Sequence, residues 1–316
     1  MQQFQEFLQQ LINGLSLGAI YALIAVGYTM VYGVLQLINF AHGDVFMVGA
    51  MMTLVSARKL GFVAAGGETV RTSWWAFLFC AGIAIVLCGV IGFVIERFAY
   101  RPLRDKPRIN SLITAIGISL LLEFCGQHPA VFGPTPQSFP RNMMPGIEKE
   151  LFTLGSVVVS RVDAMILIVT LLLMFTLSYI VLKTKTGMAL RAVSFRFDTA
   201  ALMGININRI ISFTFVLGSM LAASAGVMYA IKYPKVEPLM GLYPGVKAFV
   251  AAVFGGIGNI TGAVVGALLL GVVEVMVVGY LNNGSQYKDG IAFVILIAIL
   301  LVKPSGLLGK HVVEKV

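Results

Sequence analysis

Residues 164–231 read AMILIVTLLLMFTLSYIVL (164–182), KTKTGMALRAVSFRFDTAALMGININR (183–209) and IISFTFVLGSMLAASAGVMYAI (210–231). The two outer blocks contain no Asp, Glu, Lys or Arg. Each is about the ~20 residues a helix needs to cross the hydrocarbon core of a bilayer. The middle block carries Lys183, Lys185, Arg191, Arg196 and Arg209 against the single acid Asp198. Basic connections between apolar spans lie on the cytoplasmic side, so 183–209 is expected to be a cytoplasmic loop held by a membrane span at each end.

The rest of the chain extends this pattern. Of 316 residues, 58% are hydrophobic and 12% charged, with mean hydropathy +0.91. A soluble chain needs about a quarter charged residues to cover its surface. The sequence therefore predicts an all-α, polytopic integral membrane protein, with residues 1–316 forming a single transmembrane domain. Expected spans are 11–34, 35–57, 74–95, 111–127, 164–182, 210–231 and 262–281, with shorter apolar runs at 246–258 and 290–302. That makes about 8–9 transmembrane helices, with broken or short ones near the centre. A second basic connection, ERFAYRPLRDKPRIN (96–110), is also expected inside, together with the basic tail. The stretch 128–163, with five prolines, is expected to be a periplasmic loop. With nine spans and the N-terminus outside, both basic connections and the tail fall on one side; a re-entrant 246–258 changes that parity. No Lys or Arg precedes the first apolar run, so it lacks the positive region of a signal peptide and is expected to be retained. The net charge of +9 does not point to nucleic acid, because the basic residues sit between spans with no aromatic-basic platform. Cys80, Cys88 and Cys125 lie in apolar runs and read as small hydrophobes.

Two apolar stretches are interrupted. INFAHGDVFMVGA (38–50) sets Asn39, His42 and Asp44 in a hydrophobic setting, and VFGGIGNITGAVVGA (253–267) is rich in glycine, including Gly255, Gly256 and Gly258. Unwound backbone at membrane depth survives where it lines a cavity or is buried in protein. The first stretch is therefore read as pathway or hinge, with His42 as a structural histidine. For the second, pathway and close helix packing stay open, since Gly262 and Gly266 form a small-xxx-small pair. Glu274 is an intramembrane acid, a functional candidate by default, for which pairing with Lys247 is the simpler explanation. Glu96 and Glu123 fall at span ends, where the interface accounts for them.

No G-x-x-x-x-G-K-[S/T] phosphate loop is present, nor H-E-x-x-H or G-x-S-x-G. The string GLLGKH from Gly306 has the wrong spacing. The chain is therefore expected to be neither an enzyme nor the holder of a cofactor or metal, and a transporter built on it needs energy from a partner or an ion gradient. Within 183–209, Leu190, Val193, Phe197, Ala200 or Ala201 and Gly204 follow three-then-four spacing and predict one helical face. Gly204 suits the left-handed position that ends a helix, and Asn206 or Asn208 can cap the next. Docking on a partner and lying on acidic lipid both fit such a helix.

NFAHGD (39–44), FGPTPQSFP (132–140), LRAVSFRFDTAALMGIN (190–206), AVFGGIGNITGAVVG (252–266) and the ending VEKV (313–316) resemble the bacterial branched-chain amino acid ABC transporter permeases of LivH type. The resemblance implies a subunit of the bacterial inner (cytoplasmic) membrane that moves Leu, Ile or Val. It implies pairing with a homologous LivM-type permease and two cytoplasmic ATPase subunits that use ATP and Mg, and delivery by a periplasmic substrate-binding protein. By the same resemblance Arg191, Ala192, Asp198, Ala200, Ala201 and Gly204 match the coupling loop that contacts the ATPase. Asn39, Phe40, Ala41, His42 and Gly43 match the second-span signature. Phe195 and Phe197 stand where relatives carry polar residues. A permease for urea or short amides shares much of this pattern, and an ion-coupled carrier is the alternative of a different class.

Overall fold

The computed structural model describes residues 2–64, 68–104, 106–281, 283–303 and 305–309. The VEKV ending lies outside the described residues. Eleven α-helices follow in order among the described residues: α1 (Gln2–Leu35), α2 (His42–Lys59), α3 (Trp74–Ile95), α4 (Arg108–Gln127), α5 (Arg161–Lys183), α6 (Lys185–Phe195), α7 (Phe197–Leu202), α8 (Ile207–Lys232), α9 (Leu242–Gly255), α10 (Ile260–Tyr280) and α11 (Gly284–Val302). Seven of them, α1, α3, α4, α5, α8, α10 and α11, are long and apolar enough to cross a membrane. The shorter α2 and α9, each entered through irregular chain, bring the segments running between the two ends of the bundle to nine.

α1 is the axis of the bundle. Of its most apolar stretch 94% is buried, against 22% for α4 and α5 and 6% for α11, so those three are peripheral. Lipid tails are as apolar as Leu, so helices in a bilayer associate through close packing of small residues rather than through hydrophobic exclusion. That is how α1 meets α10: a Cβ on Gly14 or Gly18 would collide with the backbone at Val272 or Leu268. The small-residue run of α8 admits α2 in the same way, with Gly49 against Ala223 and Gly226 against the Phe46 carbonyl.

Polar contacts define the two ends. At one, the Ser156 hydroxyl donates to Gln5 (2.8 Å) and the Val158 amide to Gln9 (2.7 Å). There Arg58 reaches Gln137 (2.5 Å). The short strand β1 (Gln137–Ser138) pairs antiparallel with β4 (Lys235–Val236), and β2 (Glu150–Leu154) with β3 (Val157–Ser160). At the other end, Arg104 reaches Asn208 (2.6 Å), and the amides of Leu307 and Leu308 donate to the carbonyls of Phe254 and Gly255 at 2.9 and 3.0 Å. The chain start and the 128–163 segment thus share one end, while both basic connections and the described part of the tail share the other. α1 runs longer than expected, beginning nine residues before the apolar core, because its polar first turns pack on the β2–β3 hairpin.

Candidate functional site

The 183–209 loop is two helices, not one. Thr184 caps α6, its hydroxyl accepting from the Gly187 amide at 3.1 Å. Arg196 then adopts an extended conformation (φ −156°, ψ 120°), and α7 restarts at Phe197. The break turns the expected single stripe: Leu190, Val193 and Ala200 are buried, whereas Phe197 and Gly204 are exposed. Gly204 takes φ +80° after α7, and the Asn206 side chain caps α8 by accepting from the Arg209 amide at 3.2 Å. Of the remaining loop candidates, Arg191, Asp198 and Ala201 are exposed and Ala192 is half-buried. The outward surface also carries Phe195, Leu202 and Met203, exposed by 87%, 89% and 74%.

An ionic clasp ties this loop to the bundle. Glu96, expected at the interface, is fully buried: it pairs with Arg104 and accepts from the Ser212 hydroxyl (2.6 Å), and Arg104 also donates to Asn208. Glu96 and Arg104 share the 96–110 connection, and Asn208 and Ser212 stand four apart on α8, but nothing in the sequence links the two segments.

At the first broken segment, Asn39 is buried and accepts from the Tyr100 hydroxyl (2.9 Å). His42 sits in the gap left by Gly27 and Gly218, with its ring edge-on to Tyr28 at 4.7 Å and a hydrogen bond to the Ile24 backbone. This position makes it a packing histidine. Gly43 has the α9 backbone against it, at Gly241 and Gly245, closer than a side chain allows. Phe40, with Tyr28, Phe249, Asp44 and Ser119, lines a cavity of about 70 Å³. Asp44 is buried and accepts from Ser119 of α4 at 2.5 Å, and its carboxyl also meets Glu123. Glu123 is thus buried against α2.

At the second, Gly255 packs on the Gly262 backbone and Gly266 on Ala251 and Gly255, so α9 and α10 touch backbone to backbone. Gly256 (φ +108°) abuts Gly306 and Gly309, and Gly258 (φ +90°) has open space around its Cα. Packing therefore accounts for Gly255 and Gly256. Gly258 lines a cavity of about 640 Å³ together with Gly33, Asn259, Leu190, Arg191 and Ser194. The coupling-loop candidate Arg191 and the broken-segment candidate Gly258 meet there. α9 joins the two broken segments, packing its first half on Gly43 and ending at Gly255.

Glu274 of α10 is buried and paired as the sequence suggested: Lys247 of α9 donates to it at 2.7 Å, and the Tyr21 hydroxyl does so at 3.0 Å. Lys247 also pairs with Asp289 of α11 at 2.5 Å. Nearby, Lys232 bridges Asp163 (2.6 Å) and Ser16 (2.8 Å). Taking charges out of water is offset only by close partners of opposite charge, which these clusters supply.

A family model described as branched-chain amino acid transport system / permease component matches residues 10–300. The chain is 41% identical to the high-affinity branched-chain amino acid transport system permease protein LivH of Salmonella typhimurium, over 100% of this chain and 99% of that one. It is 42% identical to the corresponding BraD protein of Pseudomonas aeruginosa, covering 100% of both. A probable LivH of Methanocaldococcus jannaschii is 26% identical over 91% of this chain and 88% of its own.

Proposed function

Because the chain belongs to the branched-chain amino acid transport permease family, we propose that it is one half of the membrane pore of an ATP-driven importer for Leu, Ile and Val. Its seat is the bacterial inner membrane, with 183–209 on the cytoplasmic side and 128–163 on the periplasmic side. A homologous LivM-type permease completes the pore, and a periplasmic binding protein supplies substrate. Two ATPase subunits bind ATP and Mg; no cofactor is assigned to this chain.

The observation that supports this most is the two-faced α6–α7 loop. Its inner face is packed by Leu190, Val193 and Ala200, and its outer face presents Phe195, Leu202 and Met203. A loop so fixed moves as a unit with α5 and α8 when a partner pushes on it. Arg191 and Gly258 share the cavity behind it, so the push reaches the end of α9, which in turn abuts the Phe40–Asp44 cavity. Arg191, Ala192, Asp198, Ala200, Ala201 and Gly204 are assigned to coupling. Asn39, Phe40, Gly43 and Gly258 are assigned to the pathway or its hinge, and His42 to the packing that supports it. Restoring labelled leucine uptake to a strain lacking its own system tests the reading. Rescue of urea or acetamide uptake without leucine uptake contradicts the substrate assignment.

A further inference from the structure

We propose that the cavity between α1, α8, α9, α10 and α11 is a binding site for a zwitterionic α-amino acid. The choice of leucine as its ligand rests on the import reading; the charge layout does not. The cavity measures about 350 Å³ and is walled by Tyr21, Tyr229, Tyr243, Lys247, Glu274 and Asp289, the lower end of the size range of small-molecule pockets. One ammonium, Lys247, faces two carboxylates, Glu274 at 2.7 Å and Asp289 at 2.5 Å. The triad therefore carries one negative charge in excess. Both Glu274 oxygens are occupied, by Lys247 and by the Tyr21 hydroxyl. Asp289 meets Lys247 through its buried Oδ1; it is the half-exposed member of the triad, so its other carboxylate oxygen has capacity for an incoming donor. Low-dielectric walls strengthen that attraction well beyond its value in water.

The opposite charge stands beside it. Lys288 lines the same cavity and also the adjoining outer one of about 530 Å³. It forms no ion pair with the described residues. An α-ammonium against Asp289 and an α-carboxylate against Lys288 match the two ends of an amino acid, and the tyrosine rings offer apolar surface to its side chain. Arg141 and Glu148, from the 128–163 segment, line the outer cavity, so the site opens at the end of the bundle that carries that segment. Neither a simple cation nor a simple anion uses both groups.

The test uses the assembled transporter in lipid vesicles without its binding protein. Ser285, which lines the outer cavity, is replaced by Cys in a Cys125→Ser background, since Cys80 and Cys88 are buried. Its rate of modification by a membrane-impermeant thiol reagent is then followed. At a leucine concentration twice the dissociation constant, modification is expected to slow about threefold. The deaminated 4-methyl-2-oxopentanoate and the decarboxylated isopentylamine are expected to leave the rate unchanged. Asp289→Asn and Lys288→Ala are each expected to abolish protection without changing the unprotected rate. Equal slowing by the oxo acid, or no slowing by leucine, alanine or glycine, overturns the site, whatever solute the vesicles import. Loss of leucine uptake with protection intact contradicts the import reading instead.

Discussion

Glu96 shows how a single residue holds two regions together. Its carboxylate is fully buried between Arg104 and Ser212 at the base of the 183–209 loop. Removing one member of a buried ion pair costs about 3–5 kcal/mol, so Glu96→Ala is expected to lower the free energy of unfolding in micelles by that amount. Ser212→Ala, which removes one hydrogen bond to a charged group, is expected to cost about 1.5–3 kcal/mol. A Glu96→Ala variant as stable as the parent contradicts the clasp. The sequence did not disclose this pairing, because Glu96 follows an apolar run and looks like any span-end acid. Its partners are identified only when α3 and α8 are set side by side. Glu274 was easier to read. A lone acid deep in one apolar run and a lone base in another have few ways to avoid an unpaired charge, and Lys247 is the result.

The α6–α7 pair carries the coupling proposal, and its predictions separate folding from docking. Phe195 and Leu202 are almost wholly exposed, and exposed substitutions usually change stability by within about 0.5 kcal/mol. Phe195→Ser with Leu202→Ser is therefore expected to leave the denaturation midpoint unchanged while reducing substrate-stimulated ATP hydrolysis by the partner ATPases. Unchanged hydrolysis and uptake return the loop to a lipid-facing role. Gly204→Val is the complement: a β-branched residue at φ +80° costs roughly 1–2 kcal/mol and is expected to impair both. Periodicity located this element and its end at Gly204, but it implied one continuous face. It had no signal for the extended Arg196, whose neighbours Phe195 and Phe197 fit either a helix interior or a break. At the two broken segments, the glycines and buried polar groups stood out from the apolar background. Which glycines answer to packing was not legible, because that depends on what crosses them: Gly241 and Gly245 for Gly43, and Gly262 for Gly255.

For the whole molecule, charge placement and hydropathy carried most of the architecture. Basic clusters at 96–110 and 183–209 fall at one end of the bundle, and the chain start falls at the other with 128–163. Cysteines introduced at Gln5 and at Leu202 are accordingly expected to react with an impermeant reagent from opposite sides of a sealed vesicle. Reaction from the same side contradicts nine crossings. The poorly buried α4, α5 and α11 leave surface for lipid and for the second permease subunit that the importer proposal requires. The most direct test of the central claim is leucine uptake into vesicles holding this chain with its partner permease and ATPases, with the binding protein added outside. Concentrative uptake that requires ATP inside, and stops when the ATPases are omitted, is the predicted result. Concentrative uptake by this chain alone, driven by a proton or sodium gradient without any ATPase, contradicts it.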